Sequence, residues 1–174
     1  PLEQVLSIDF FTVHPQAYWE WFAQENAREG VAPNAAHRFV ADLERAGKLS
    51  AVVTQNIDGL HQRAGSERVL ELHGNWSRLT CTGCGEHVTL DDVDGARSGE
   101  VPHCRECASV LRPDIVFYGE MLDSDVMERA VWAISEADLL IVAGTSLVVY
   151  PAAGLIDYYT GERLVLMNAT PTPY

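Results

Sequence analysis

Apolar residues recur every three or four positions in two stretches near the start of the chain, which is the spacing of one helix face. The first predicted helix begins at Pro15 and ends by Gly30, because proline suits the first position of a helix and glycine its end. The second begins after Asn34, a suitable N-cap, and ends at Gly47. Together they form a helical segment at 12–47.

Further along, short apolar runs alternate with helical patterns. The runs predict buried strands at 51–53, 69–72, 115–117, 139–143 and 164–167, and the helical patterns lie at 123–134 and 151–161. Strands that alternate with helices pair in parallel through right-handed crossovers. The pattern therefore predicts an α/β fold, a Rossmann-like parallel sheet with helices on both faces.

The pattern changes between positions 76 and 111. Apolar periodicity fades, glycines become frequent, and the polar run at 91–100 predicts a loop. A segment of this size is too small to build a core of its own, so a bound metal would have to hold it together. We therefore expect two units: one lobe formed by 1–75 and 112–174, and a small module at 76–111 inserted into it.

Four cysteines occur in that module, as the pairs Cys81/Cys84 and Cys104/Cys107. Each CxxC pair can present two thiolates on one tight turn, and two such turns supply the four ligands of a closed tetrahedral zinc site. Such a site is structural, because it keeps no open position for chemistry. A redox-active dithiol or disulfide is the alternative reading of the same spacing.

The charge balance narrows the classes of partner. The 174 residues include 12 Lys+Arg against 25 Asp+Glu, a formal net charge of −13, which opposes binding to nucleic acid and favours basic polypeptides. Solubility alone could also explain this charge. The sequence offers no run of about 18 uncharged apolar residues and no secretory signal pattern at its start, so we expect a cytoplasmic protein with no membrane partner.

Polar residues cluster after the first predicted strand. Gln55, Asn56 and Asp58 should emerge at a strand end, which is where open α/β sheets bind ligands. The apolar run at 69–72 is followed by His73 and then by Gly74. Because glycine has no side chain, it leaves room at the backbone for a substrate. A single histidine is more often packed or solvated than catalytic, so the residue type alone does not decide the role of His73.

Four strings bear a family resemblance: TQNIDGLH at 54–61, ELHG at 71–74, RPDIVFYGE at 112–120 and VAGTSLVVYPAA at 142–153. They resemble the sirtuins, or Sir2 family, which are NAD-dependent protein-lysine deacylases. The resemblance implies an incomplete sirtuin fold with a zinc-ribbon module. It covers about 5–174, and the family's Gly-rich N-terminal loop and last sheet and helix elements have no match here.

The resemblance also implies the site. Residues that would contact the cofactor NAD are Gln55, Asn56, Asp58, Gly144, Thr145, Ser146 and Asn168. The partners would be proteins or peptides carrying acyl-lysine, contacted by Val116, Phe117, Gly119, Glu120, Val148 and Val149. Val116 and Phe117 would line the tunnel for the acyl-lysine, and the loop containing Gly119 and Glu120 would pair with the peptide backbone.

In the chemistry that the resemblance implies, the acyl oxygen attacks C1′ of the nicotinamide ribose and expels nicotinamide. His73, with Asn56 as the other catalytic residue, then acts as general base on a ribose hydroxyl, so that O-acyl-ADP-ribose and free lysine form. Two other hypotheses stay open. One is a non-catalytic chain, either a zinc-ribbon module that binds protein or an inactive fragment. The other is an NAD consumer that transfers ADP-ribose or only hydrolyses NAD.

Overall fold

The computed structural model describes residues 2–26 and 31–174, so the predicted helix end at Gly30 lies outside the described residues. The α-helices are α1 (Leu2–Val5), α2 (Ile8–Val13), α3 (Pro15–Asn26), α4 (Ala35–Arg45), α5 (Leu60–Arg63) and α6 (Ser124–Ser135). The strands are β1 (Val52–Thr54), β2 (Val69–Glu71), β3 (Gly74–Cys81), β4 (His87–Thr89), β5 (Leu111–Ile115), β6 (Leu140–Ala143) and β7 (Leu164–Met167). Short 3-10 helices cover Leu90–Asp92, Ala96–Ser98 and Ala152–Tyr158.

The predicted starts of two helices are confirmed. The side chain of Asn34 accepts hydrogen bonds from the backbone N–H groups of Ala36 (2.9 Å) and His37 (3.1 Å), which satisfies two donors at the start of α4. Asp123 caps α6 in the same way, by accepting from the N–H of Val126 at 3.0 Å. The predicted helix at 151–161 is instead the 3-10 helix at Ala152–Tyr158.

Two parallel strand pairs form the α/β part of the fold. β1 pairs with β2 in the register Val53↔Leu70, and β6 pairs with β7 in the register Val142↔Leu166. The parallel pairing is the one that the sequence predicts. Within the described chain the two pairs are separate two-stranded sheets, and α6 packs beside them through Ala130.

Strands β6 and β7 are less buried than their continuous apolar runs predict. Val142 and Leu166 pack against the core formed with the 3-10 helix at Ala152–Tyr158. Ile141, Val165 and Met167 are 41–54% exposed, because only one face of this sheet is covered by described residues.

The predicted strand at 115–117 is misplaced by several residues. The strand is β5, which pairs antiparallel with β3 and forms the edge of a three-stranded sheet in the order β4-β3-β5. Leu111, Pro113 and Ile115 are buried, and the residues between them are half-buried. This is the period-two pattern of a strand, with a proline at its middle position. Proline is tolerated at a sheet edge, where its missing N–H leaves no ladder bond unmade.

An aromatic core joins the N-terminal helices to the chain that follows β5. The ring of Phe117 stacks on Phe11 at 5.2 Å between centroids and meets the edge of Tyr18 at 5.5 Å. The segment 76–111 contributes Leu79 and Leu90 to the same core, so it packs on α2 and α3 rather than standing alone. This packing fixes the position of Phe117 and its neighbours.

Gly74 provides a test of the close contact between β3 and β5. Its φ is +78°, and a Cβ there would lie 1.9 Å from the carbonyl oxygen of Asp114. Gly47 is a matched control, because its φ is +67° and a Cβ there would meet nothing within 4 Å. We expect Gly47→Ala to lower the free energy of unfolding by about 1 kcal/mol, from backbone strain alone.

Gly74→Ala adds a steric clash to the same strain, so its total cost should reach about 3 kcal/mol. Urea unfolding followed by circular dichroism measures both variants. Equal costs for the two substitutions would contradict the close β3–β5 contact.

Candidate functional site

His73 lies between β2 and β3 with its ring held by the backbone. Its Nδ1 is 2.9 Å from the carbonyl oxygen of Gln55. A carbonyl oxygen can only accept a hydrogen bond, so Nδ1 carries the proton and Nε2 carries the free lone pair. The side chain is half-buried. The imidazole is therefore fixed in the tautomer that leaves Nε2 free to accept a proton.

The loop at 55–59 is tied to the segment that follows His73 at two further points. The N–H of Trp76 donates to the carbonyl oxygen of Ile57 at 3.1 Å. Gly59 packs against the side chain of Asn75, since a Cβ at Gly59 would lie 3.2 Å from Asn75 Nδ2. The loop and the histidine segment are therefore held together at three points along their length.

Asn56 and Asp58 alternate with these anchoring positions. Both residues are exposed, whereas Gln55 and Ile57 are half-buried. A carboxylate oxygen of Asp58 accepts a hydrogen bond from the N–H of Leu60 at 2.9 Å, at the start of α5. The side chains of Asn56 and Asp58 therefore reach the surface from the loop whose Gln55 carbonyl is bonded to His73.

The ends of β1 and β6 meet next to this loop. Gln55 Nε2 lies 3.4 Å from Thr145 Oγ1, a long hydrogen bond between the two parallel strand pairs. Gly144 has a φ of +66°, and nothing lies within 4 Å of the position that a Cβ would take. The carboxyl ends of the two pairs thus converge, as expected for a ligand-binding edge of an α/β sheet.

The segment after β5 reaches His73 from the other side. The N–H of Val116 donates to the carbonyl oxygen of His73 at 2.9 Å. Phe117 is only 1% exposed and belongs to the aromatic core. The backbone of Tyr118 is paired with the N-terminal helices, donating to the oxygen of Leu6 (2.8 Å) and accepting from the N–H of Ile8 (3.1 Å).

The side chains of the remaining candidate residues make no hydrogen bond to this group within 2–26 and 31–174, although the N–H of Gly144 donates to the carbonyl oxygen of Met167, next to Asn168, at 2.9 Å. Asn168 follows β7, and its side-chain nitrogen donates to the carbonyl oxygen of Thr170 at 2.9 Å. Val148 and Val149 are 59% and 43% exposed, after the buried Leu147, whose φ of +55° turns the chain outward. Ser146 lies in the same exposed turn.

Arg112 was missed as a candidate by the sequence reasoning. Its guanidinium makes two hydrogen bonds of 2.8 Å to the carboxylate of Glu120. Glu120 was expected to contact a substrate backbone, but its carboxylate is engaged inside the chain. The signal was present in the sequence, because Arg112 and Glu120 are the first and last residues of RPDIVFYGE.

The four cysteines come together as predicted. All four Sγ atoms lie within 4.8 Å of one another, with 3.3 Å between Cys81 and Cys107 and 3.7 Å between Cys84 and Cys104. A tetrahedral ion with Zn–S bonds of about 2.3 Å separates its ligands by about 3.8 Å. The cysteines are thus positioned to bind a metal, and a set of four sulfurs fits structural zinc.

The surroundings of the sulfurs shift the pKa values of Cys107 and Cys84 in opposite directions. The hydroxyl and N–H of Ser109 lower the pKa of Cys107 to about 6. The N–H of Glu86 lowers the pKa of Cys84, but the neighbouring sulfurs of Cys81 and Cys107 outweigh it and raise the pKa to about 12. Four thiolates this close repel one another, so their joint ionisation calls for a bound cation.

Comparisons with known proteins agree with these geometric findings. A family model described as "Sir2 family" matches residues 1–151. The NAD-dependent protein deacetylase of Clostridium acetobutylicum is 48% identical over 174 residues, which are 100% of this chain and 71% of that protein.

Solved structures give the same result. "Sir2 bound to acetylated peptide" superposes with a TM-score of 0.88 at 46% identity, over 98% of this chain and 73% of that one. "Sir2-p53 peptide-NAD+" superposes with a TM-score of 0.83 at 45% identity, over 97% and 72%. With its family model, its relatives and its fold in agreement, this chain belongs to the Sir2 family.

Proposed function

We propose that this chain is an NAD-dependent protein-lysine deacylase that releases nicotinamide and O-acyl-ADP-ribose, with His73 as its general base. The observation that carries the proposal is the hydrogen bond from His73 Nδ1 to the carbonyl of Gln55, which leaves Nε2 free beside a polar strand end. The names of the relatives support the class of reaction.

NAD is the cofactor that this site would hold. Gln55, Asn56 and Asp58 would surround its nicotinamide end, and the turn Gly144–Ser146 with Asn168 would take its ribose and phosphate groups. Gly144 supports close approach, because the space beside its Cα is open. When bound, NAD supplies an electrophilic sugar carbon and the hydroxyl that accepts the acyl group.

His73 would accept the proton of that hydroxyl at Nε2. Protonation makes the ring a cation, and the Nδ1–H hydrogen bond to the Gln55 carbonyl stabilises the charge and holds the ring in place. Asn56 would be the second catalytic residue, since its exposed amide emerges beside the histidine and can orient a polar reactant. Most of the rate enhancement would then come from positioning.

The substrates would be proteins or peptides that carry acyl-lysine. Acylation removes the charge of lysine, so the side chain would suit an apolar passage, which Val116 and Phe117 would line. Gly119 would contact the peptide backbone, because its own backbone makes no hydrogen bond to the described residues. Val148 and Val149 would add exposed apolar contacts, and Glu120 would complete the loop.

The net charge and the helix composition bear on the partners and the cellular location of the protein. A net charge of −13 favours basic peptide segments over nucleic acid. None of the helices in the described part of the chain has the length and apolar composition of a membrane span. We propose a cytoplasmic enzyme without nucleic-acid or membrane partners.

Zinc would have a structural role in the module at 76–111, which is inserted in the lobe formed by 1–75 and 112–174 and shares its aromatic core. The two CxxC turns fill a tetrahedral site and leave no position for substrate. The metal would hold the far ends of β3 and β5, which reach the histidine at their other ends.

The activity can be tested by mass spectrometry of an acetyl-lysine peptide incubated with NAD. We expect O-acetyl-ADP-ribose from the wild-type chain and a loss of about 100-fold or more in His73→Ala, because the general base is removed. His14→Ala is the control, since that histidine is exposed and lies outside the site.

The product distinguishes the readings. Free ADP-ribose or an ADP-ribosylated peptide without O-acetyl-ADP-ribose would favour the ADP-ribose transfer reading. If a folded chain gives no product, the hypothesis of a non-catalytic zinc-ribbon interaction module remains. Either result would contradict the proposal.

Metal content tests the zinc site. We expect one zinc per chain by elemental analysis, and a lower melting temperature for Cys104→Ser or after chelation, because the buried ligand is lost. Ser98→Ala, in the same module but away from the sulfurs, should keep both the zinc and the stability. A metal-free chain with disulfides and unchanged stability would contradict a zinc site.

A further inference from the structure

The ion pair between Arg112 and Glu120 closes the turn that follows β5. The two guanidinium nitrogens each donate to one carboxylate oxygen at 2.8 Å, a planar fork that fixes the relative orientation of the groups. Only 25% and 24% of the two side chains are exposed. This geometry separates it from exposed pairs, which contribute little to a fold.

Both partners also hold the backbone between them. Glu120 Oε2 accepts a hydrogen bond from the N–H of Phe117 at 3.0 Å, and Arg112 Nη2 donates to the carbonyl oxygen of Ile115 at 3.1 Å. The guanidinium carbon lies 5.1 Å from the centroid of the Phe117 ring, a cation–π contact. The pair therefore determines the path of the chain from Ile115 to Glu120.

The ionisation of the pair agrees with its geometry. Burial raises the pKa of Glu120, but hydrogen bonds from Arg112 and from the N–H of Phe117 outweigh it and keep the pKa below its ordinary value. The carboxylate is thus charged at neutral pH. With Arg112 and Phe117 as its partners, it is not free to bind a substrate.

The fixed turn leads directly to the histidine. Val116 donates its N–H to the carbonyl oxygen of His73, so one end of the turn is anchored at the site. The N–H of Glu120 donates to the carbonyl of Phe117 at 3.0 Å and closes the other end. Gly119 stands between them with a φ of +96°, and its own backbone groups are unpaired among the described residues.

We propose that Arg112 and Glu120 are positioning residues for the acyl-lysine peptide: the ion pair holds the turn at 116–120 so that Gly119 presents its backbone to the peptide beside His73. Glu120 acts through the turn and does not contact the peptide with its carboxylate. This proposal rests on the proposed function, since it assigns the peptide side of the same site.

The test compares Arg112→Lys and Glu120→Gln with the wild type. Lysine keeps the positive charge but cannot form the fork, and glutamine keeps one acceptor but loses the charge. Arg97→Lys is the matched control, because it weakens an exposed pair with Asp91. Two readouts are needed: KM for an acetyl-lysine peptide against KM for NAD, and amide hydrogen exchange across 116–120.

We expect both variants to raise KM for the peptide about tenfold while KM for NAD stays within about twofold, because only the peptide side is displaced. Exchange across 116–120 should accelerate in both variants and stay unchanged in Arg97→Lys. Equal rises in the two KM values would show a general structural role, and that result would overturn the proposal.

The exchange readout does not depend on activity. Unchanged exchange across 116–120 in both variants would overturn the positioning role whatever the kinetics. If the wild-type chain neither binds the peptide nor turns it over, the proposed function fails, and the assignment of the turn to a peptide fails with it. Faster exchange in the variants would in that case still show that the Arg112–Glu120 ion pair holds the turn at 116–120 in the fold.

Discussion

The hydrogen bond between His73 Nδ1 and the carbonyl of Gln55 is the constraint on which the site depends. It links the loop after β1 to His73, which lies two residues beyond the end of β2. It also sets which ring nitrogen can accept a proton. The bond from Trp76 to Ile57 adds a second fixed point on the same loop. Because the loop is held largely by its backbone, the exposed side chain of Asn56 makes no hydrogen bond to the described residues, whereas Asp58 accepts one from the N–H of Leu60.

The paired strands β3 and β5 connect this site to the cysteine cluster. β3 begins at Gly74, next to His73, and ends at the zinc-ligand candidate Cys81. β5 runs in the opposite direction, with Leu111 opposite Cys81 and Ile115 opposite Gly74. A metal at one end of this pair therefore fixes the register of the strands whose other end carries the histidine and the turn after β5.

Local chemistry made much of this structure predictable. The N-cap at Asn34, the strand at 164–167 and the cysteine cluster follow from residue types at short spacing, and the structure confirms them. The clustering of Gln55 and Thr145 follows from the rule that ligands bind at the carboxyl ends of parallel strands. Each of these depends on a few neighbouring residues or on one topological rule.

The misplaced features depend on contacts between distant parts of the chain. The predicted strand at 115–117 misses most of β5, because the apolar run begins only after Pro113, and a proline fits a strand only once its edge position is known. The pairing of Tyr118 with Leu6 and Ile8 joins residues more than 100 positions apart, which no local pattern reveals. The exposure of β6 and β7 depends on which faces are covered, and an apolar run alone carries no information on that.

The tautomer of His73 tests the central claim most directly. A long-range proton–nitrogen correlation spectrum of the nitrogen-labelled chain, recorded where the ring is neutral and assigned with His73→Ala, distinguishes the protonated ring nitrogen. The structure predicts a proton on Nδ1 and a bare Nε2. A proton on Nε2 instead would contradict the hydrogen bond to Gln55 and remove the basis for His73 as the general base.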